Sequence, residues 1–184
     1  MLSLDLPAVL LIVLFQLLAT ATAVMEKGDP STALHVFTQA HQQSSHEAEA
    51  ALHSPATSNS KSLQSPTAAS DLKSAQVGQG MALHGRASCH RALNSMADAQ
   101  ECYTESLRVL TKSLGSQHPE LASVWNNLGS LQSQLNRPAA ALECFEHAMD
   151  VLKMQSNRSS NLHLSKVIAP RSRIHDTKSL FRRF

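Results

Sequence analysis

Residues 114–152 read LGSQHPELASVWNNLGSLQSQLNRPAAALECFEHAMDVL. Leu121, Val124, Trp125, Leu128 and Leu131 recur at three- and four-residue spacing, which puts them on one face of a helix. Asn136 marks a stop, because asparagine tolerates the left-handed backbone that closes helices. Pro138 suits the first turn of a following helix, where its missing N–H costs no hydrogen bond. Ala141, Leu142, Phe145, Ala148, Met149 and Leu152 then make a second apolar stripe. Two helices joined by so short a turn lie antiparallel, and Gly129, Ala141 and Ala148 are small enough to let them approach closely. The stretch predicts a helical hairpin.

The pattern occurs again upstream. Asn94 aligns with Asn136, Ala99 with Ala141, Cys102 with Cys144, Tyr103 with Phe145, Val109 with Val151 and Leu110 with Leu152, each pair 42 residues apart. The helix expected before it, about 79–93, has Ala87 in the place of Gly129 and Leu93 in the place of Leu135, and no Trp. A third copy starts at GDPSTALHVFTQA, residues 28–40, with Gly28 over Asn136, Pro30 over Pro138, Ala33 over Ala141, Phe37 over Phe145 and Ala40 over Ala148. Gly28 lies 66 residues before Asn94, 24 more than the period. The 24 residues of 54–77 are rich in Ser, Thr, Ala and Pro and read as a disordered insert. Lengthening a surface loop costs little, since closure entropy grows only with the logarithm of length. Removing the insert on paper restores the register.

Trp125, Leu128, Gly129, Ala141, Phe145 and Ala148 stand at the spacing of the tetratricopeptide repeat, which this chain resembles over 79–154. The 42-residue period and the stretch from Leu114 to Gly129 resemble the subtype found in kinesin light chains. The chain departs from the family pattern at Pro138, where an aromatic is usual, and at Asn136, where Gly is usual. The resemblance implies an all-α fold, a short right-handed stack of antiparallel helical hairpins (an α-solenoid). In such a stack the first helices line a concave groove that receives an extended peptide or a partner helix. It further implies that Ser123, Asn126, Asn127, Ser130 and Gln134 face this groove together with His84, Ser88 and Arg91, and that Asn126 and Asn127 contact a bound peptide. The basic clamp of chaperone-binding relatives is not reproduced, since no lysine accompanies Arg91.

Composition agrees with a helical protein. Aromatic residues make up 4% of the 184, with one Trp and one Tyr, too few for a β-sandwich core. The net charge is +2, but residues 155–184 carry seven Lys or Arg and one Asp. The alternative function is therefore association of the basic tail, 171–184, with an anionic membrane or nucleic acid while the stack serves as scaffold. Cys89, Cys102 and Cys144 are odd in number and are expected as free thiols. No Cys-x-x-Cys pair, nucleophile–base arrangement or phosphate-binding glycine loop is present; Gly78-Gln79-Gly80 lacks the rest of such a motif. No catalytic residue, cofactor or metal is expected.

The N-terminus admits two readings. Residues 8–24 are an apolar run whose core, 8–19, leads into Ala19-Thr20-Ala21 and Ala21-Thr22-Ala23, small-residue sites suited to signal cleavage, although Asp5 and the lack of Lys or Arg before the run depart from signal composition. Seventeen residues also reach the short limit for a membrane anchor. In the other reading, residues of about 10–26 form the first repeat helix, with Leu17, Ala21 and Val24 inward and Phe15, Leu18 and Met25 on the groove side. The apolar character of both sides selects the secretory or membrane reading, with a cytoplasmic protein as the alternative. The expected organisation is an apolar segment at 1–27, a partial repeat at 28–53, the insert at 54–77, two hairpins at 78–154 and a basic tail at 155–184, with residues 161–169 either a short capping helix or part of the tail.

Overall fold

A computed structural model describes residues 6–53 and 66–172, and the side chains of 11–50, 70 and 72–157. The chain is all-α in these residues: α1 (Leu6–Glu26), α2 (Pro30–His53), α3 (Pro66–Ala92), α4 (Met96–Leu114), α5 (Pro119–Gln134) and α6 (Pro138–Ser172). They pair as the hairpins α1–α2, α3–α4 and α5–α6, which stack in chain order. Prolines open α2, α3, α5 and α6, where no amide donor is required.

One turn closes the first helix of every hairpin. Gly28, Asn94 and Asn136 have φ of 82°, 63° and 57°. In each case the following residue reaches back five positions, Asp29 N–H to Val24 O at 3.3 Å, Ser95 N–H to His90 O at 2.8 Å and Arg137 N–H to Gln132 O at 3.0 Å. This is the six-to-one hydrogen bond of the Schellman motif, which satisfies carbonyls left open at a helix end. After the first turn, Asp29 caps α2 by accepting from Thr32 N–H at 3.1 Å and Thr32 Oγ1–H at 2.6 Å. Those bonds hold its carboxyl below the usual carboxylate range.

Helix α3 is the centre of the stack, in contact with α1, α2, α4 and α5. Its glycines make that possible. A Cβ at Gly78 would run into Leu14 of α1, at Gly85 into the ring of Phe37 of α2, and at Gly80 to within 2.6 Å of Leu110 of α4. Ser106 of α4 is fully buried and donates to the carbonyl of Gly80 at 2.7 Å, so the close approach is hydrogen-bonded as well as packed. The same device joins α5 to α6, where a Cβ at Gly129 would lie 2.8 Å from Phe145.

The structure corrects four boundaries or placements. The expected insert 54–77 is helical from Pro66 onward as the first part of α3, with Ala75 buried and Val77 packed on the core; residues 54–65 lie outside the described ones. The expected start of the tail at 155 is no break, since α6 continues through 161–169 to Ser172. Leu18, expected on the groove side, is buried in the cluster of Leu14, Ala21, Phe37 and Cys89. Met25 is likewise drawn into the hairpin, its sulfur accepting from Cys89 Sγ at 3.3 Å. Both residues turn inward because α3 packs on α1, contributing Ala82 and Cys89 to the same cluster.

Cys89, Cys102 and Cys144 are buried free thiols. Burial pushes Cys89 up to about 11, so it packs as a small apolar group. The glycine contacts make a prediction opposite to helix propensity. Gly85→Ala is expected to lower stability by about 1–2 kcal/mol through overpacking, although alanine is favoured by about 1 kcal/mol in a free helix. A urea midpoint that stays level or rises in this variant would show that the Phe37 ring yields freely.

Candidate functional site

Helices α3 and α5 are the first helices of neighbouring hairpins, and a hydrogen bond ties them together. Asn127 Nδ2 donates to His84 Nε2 at 2.7 Å. An amide nitrogen has no lone pair to give, so Nε2 is the acceptor and His84 carries its proton on Nδ1. The imidazole also packs against Tyr103 of α4, with ring centroids 5.8 Å apart and planes inclined at 51°. Ser88 Oγ donates to the carbonyl of His84 at 3.1 Å and, its only proton so used, accepts from Tyr103 Oη at 3.1 Å. His84, Ser88, Tyr103 and Asn127 thus form one connected polar group drawn from three helices.

Its electrostatics follow from burial. Loss of water around His84, reinforced by the positive charge of Arg91, depresses its pKa from 6.5 to about 4. The imidazole is therefore neutral at physiological pH and can keep accepting from Asn127. Burial pushes the Tyr103 phenol upward, so it remains a hydroxyl donor.

The eight expected groove residues divide accordingly. Ser123, Asn126, Asn127, Ser130 and Gln134 do share one face of α5, and His84, Ser88 and Arg91 share the neighbouring face of α3. Asn126 and Gln134 are exposed and make no side-chain hydrogen bond among the described residues. Ser123 and Ser130 bond back to the carbonyls of Glu120 and Asn126 at 2.8 and 3.0 Å, while their hydroxyl oxygens keep lone pairs free to accept. Ser88 is committed to Tyr103, and the His84 and Asn127 side chains hold each other. Ser88, half-buried, supports the tyrosine. The repeat register aligns Tyr103 with Phe145 and gives it no polar role. What it missed is that a buried phenol needs a partner, and the chain's single Tyr was the available signal.

Trp125 points the other way, stacked on His147 of α6 with centroids 4.7 Å apart, and belongs to the α5–α6 packing. A separate surface cleft lies on the opposite side of α4, lined by Met96, Gln100, Glu101, Thr104, Leu135 and Arg137, and holds none of the expected groove residues. Among the described residues no group of His, Cys, Asp and Glu is arranged to hold a metal ion.

Residues 79–154 match the tetratricopeptide repeat family. The match spans α4 and α5, the second half of α3 and the first half of α6; the hairpin α1–α2 lies before it. No curated protein is significantly similar to the chain. Tetratricopeptide repeats generally mediate protein–protein interaction and are typically non-catalytic.

The neutral histidine has a pH signature. An unfolded chain takes up a proton on His84 near pH 6.5, whereas the folded chain does so only near 4. Stability is therefore complete above about pH 6.5 and falls as pH drops toward 4, by roughly 3 kcal/mol from this residue. Urea unfolding at stepped pH should show the loss, and His84→Gln should remove most of it. An equally steep loss in the variant would assign the effect to other groups.

Proposed function

We propose that the chain is a non-catalytic adaptor whose α3–α5 face receives an extended peptide or a partner helix. The observation that carries this reading is the division of labour on that face. The His84–Asn127 bond holds the two helices in register, and Asn126 and Gln134 stand beside it with their amides unused. An amide both donates and accepts, which suits it to a peptide backbone. Asn126 is the principal contact, Ser123, Ser130 and Gln134 extend the surface along α5, and Arg91 offers a cation at the end of α3. The kinesin-light-chain-like period supports the same assignment for Asn126 and Asn127.

Binding of a selected peptide, measured by fluorescence anisotropy, is expected to weaken about tenfold in Asn126→Ala, corresponding to one lost hydrogen-bond pair of about 1.4 kcal/mol, with little change in stability. Removing 171–184, which apart from Arg171 and Ser172 lies outside the described residues, is expected to leave that affinity unchanged. A steep loss with added salt or on tail removal would instead favour the anionic-surface alternative.

We infer also that α1 is retained as the first helix of the stack, which favours the cytoplasmic alternative over export. Leu14 and Ala21 have no solvent exposure, and Leu14 occupies the space that Gly78 leaves open. Intact mass of C-terminally tagged protein from a eukaryotic host is expected to include residues 1–23; a mass lacking 1–21 or 1–23 would establish cleavage and overturn this inference.

A further inference from the structure

Along α4, Tyr103, Leu107 and Leu110 are 0%, 7% and 1% exposed. They are covered on one side by α3, where Leu110 meets Gly80 and Tyr103 meets His84, and on the other by α5, whose Leu121, Val124, Leu128 and Leu131 share their cluster. One period later the same positions on α6 are Phe145, Met149 and Leu152. Here Met149 and Leu152 are 49% and 54% exposed, and Leu142 beside them is 58% exposed. Helix α4 stops at Leu114 and the chain turns at Gly115 into α5. Helix α6 runs past the equivalent point, residue 157, to Ser172, so no described helix folds back over the stripe. The outer side of α6 is thus a seat for a helix placed as α5 is.

A matching helix lies at the other end of the stack. The residues of α5 that meet α4 correspond, 108 positions earlier, to Val13, Gln16, Thr20 and Ala23 of α1. All four are exposed, because no described helix precedes α1. Ile12 and Phe15 next to them are also exposed. Apart from Leu93, every large apolar side chain exposed among the described residues lies on α1 or α6.

We propose that the α6 stripe of one molecule seats α1 of a second copy, continuing the stack head to tail in the register that α4 and α5 use. Charge selects α1 as the occupant. The α6 stripe is flanked by Glu143, Glu146 and Asp150, only the last paired with a cation among the described residues, Lys153 at 3.4 Å, and two α6 helices facing each other would bring the excess of carboxylates together. Residues 6–25 of α1 carry no charge, so no like-charge pair opposes the contact. The two surfaces differ, which makes the association heterologous and able to extend without closing. A single helix pair falls below about 1,200 Å², the range of weak and reversible interfaces. The inference requires that α1 be present, but not that the groove binds peptide.

The test is sedimentation of the full chain, its retention of residues 6–26 confirmed by mass, over about a hundredfold range of concentration around the micromolar scale. The weight-average mass is expected to climb above the 19.9 kDa monomer as concentration rises. Met149→Glu and Val13→Glu should each remain monomeric alone, and an equimolar mixture should recover a one-to-one dimer through the intact end of each. Leu152→Glu repeats the test if circular dichroism shows that Met149→Glu has lost helix. A wild-type chain that stays monomeric throughout would overturn the proposal. So would a Val13→Glu chain that still dimerises while Met149→Glu does not, since that result assigns the contact to α6 against α6. No peptide is present in the experiment, so its failure and failure of the groove reading are read separately.

Discussion

The structure depends on how closely other helices can approach α3. Three of its glycines serve two sides: Gly78 and Gly85, two turns apart on one face, admit Leu14 of α1 and Phe37 of α2, and Gly80 on the other face admits Leu110 of α4. Each glycine costs its helix roughly 1 kcal/mol relative to alanine. Burying a leucine or phenylalanine contributes roughly 1.5–3 kcal/mol, so the exchange is favourable wherever the fit is close. The result is a central helix whose value to the fold lies in where it lacks side chains. An apolar stripe of its own would have served one partner; the glycines let it serve three.

The polar face inherits its geometry from this packing. Because α4 is drawn against Gly80 and hydrogen-bonded there through Ser106, Tyr103 lies beneath α3 with its hydroxyl at Ser88. His84 then rests on the Tyr103 ring and meets Asn127 of the next repeat. Partial burial keeps the imidazole neutral, and neutrality keeps it an acceptor. The face built this way has a hydrogen-bonded polar centre, with the exposed amides of Asn126 and Gln134 beside it.

Much of this was legible before any coordinates. The 42-residue spacing, the breaks at Gly28, Asn94 and Asn136 and the prolines after two of them identify the hairpins, because helix ends depend on local backbone chemistry that individual residues announce. The common face of Asn126, Asn127 and Ser130 was legible for the same reason, since periodicity places side chains around a single helix. Less legible was the first half of α3. A stretch rich in Ser and Ala has weak hydrophobic periodicity, and its anchoring is tertiary: Val77 packs on the core and Gln76 Oε1 accepts from Ser113 Oγ of α4 at 3.3 Å.

By itself the sequence determined the all-α class, the repeat period, the turn positions and the absence of charge along residues 6–25, all properties set within one helix or one turn. Tertiary structure alone decided which polar side chains are spent and which are left over. Whether a serine is a partner for a tyrosine or a contact for a ligand depends on what lies 15 residues away in the chain and 3.1 Å away in space. It also decided that Leu18 turns inward while Phe15 stays exposed. Both are apolar residues on one helix, and only the helix that packs against them distinguishes the two.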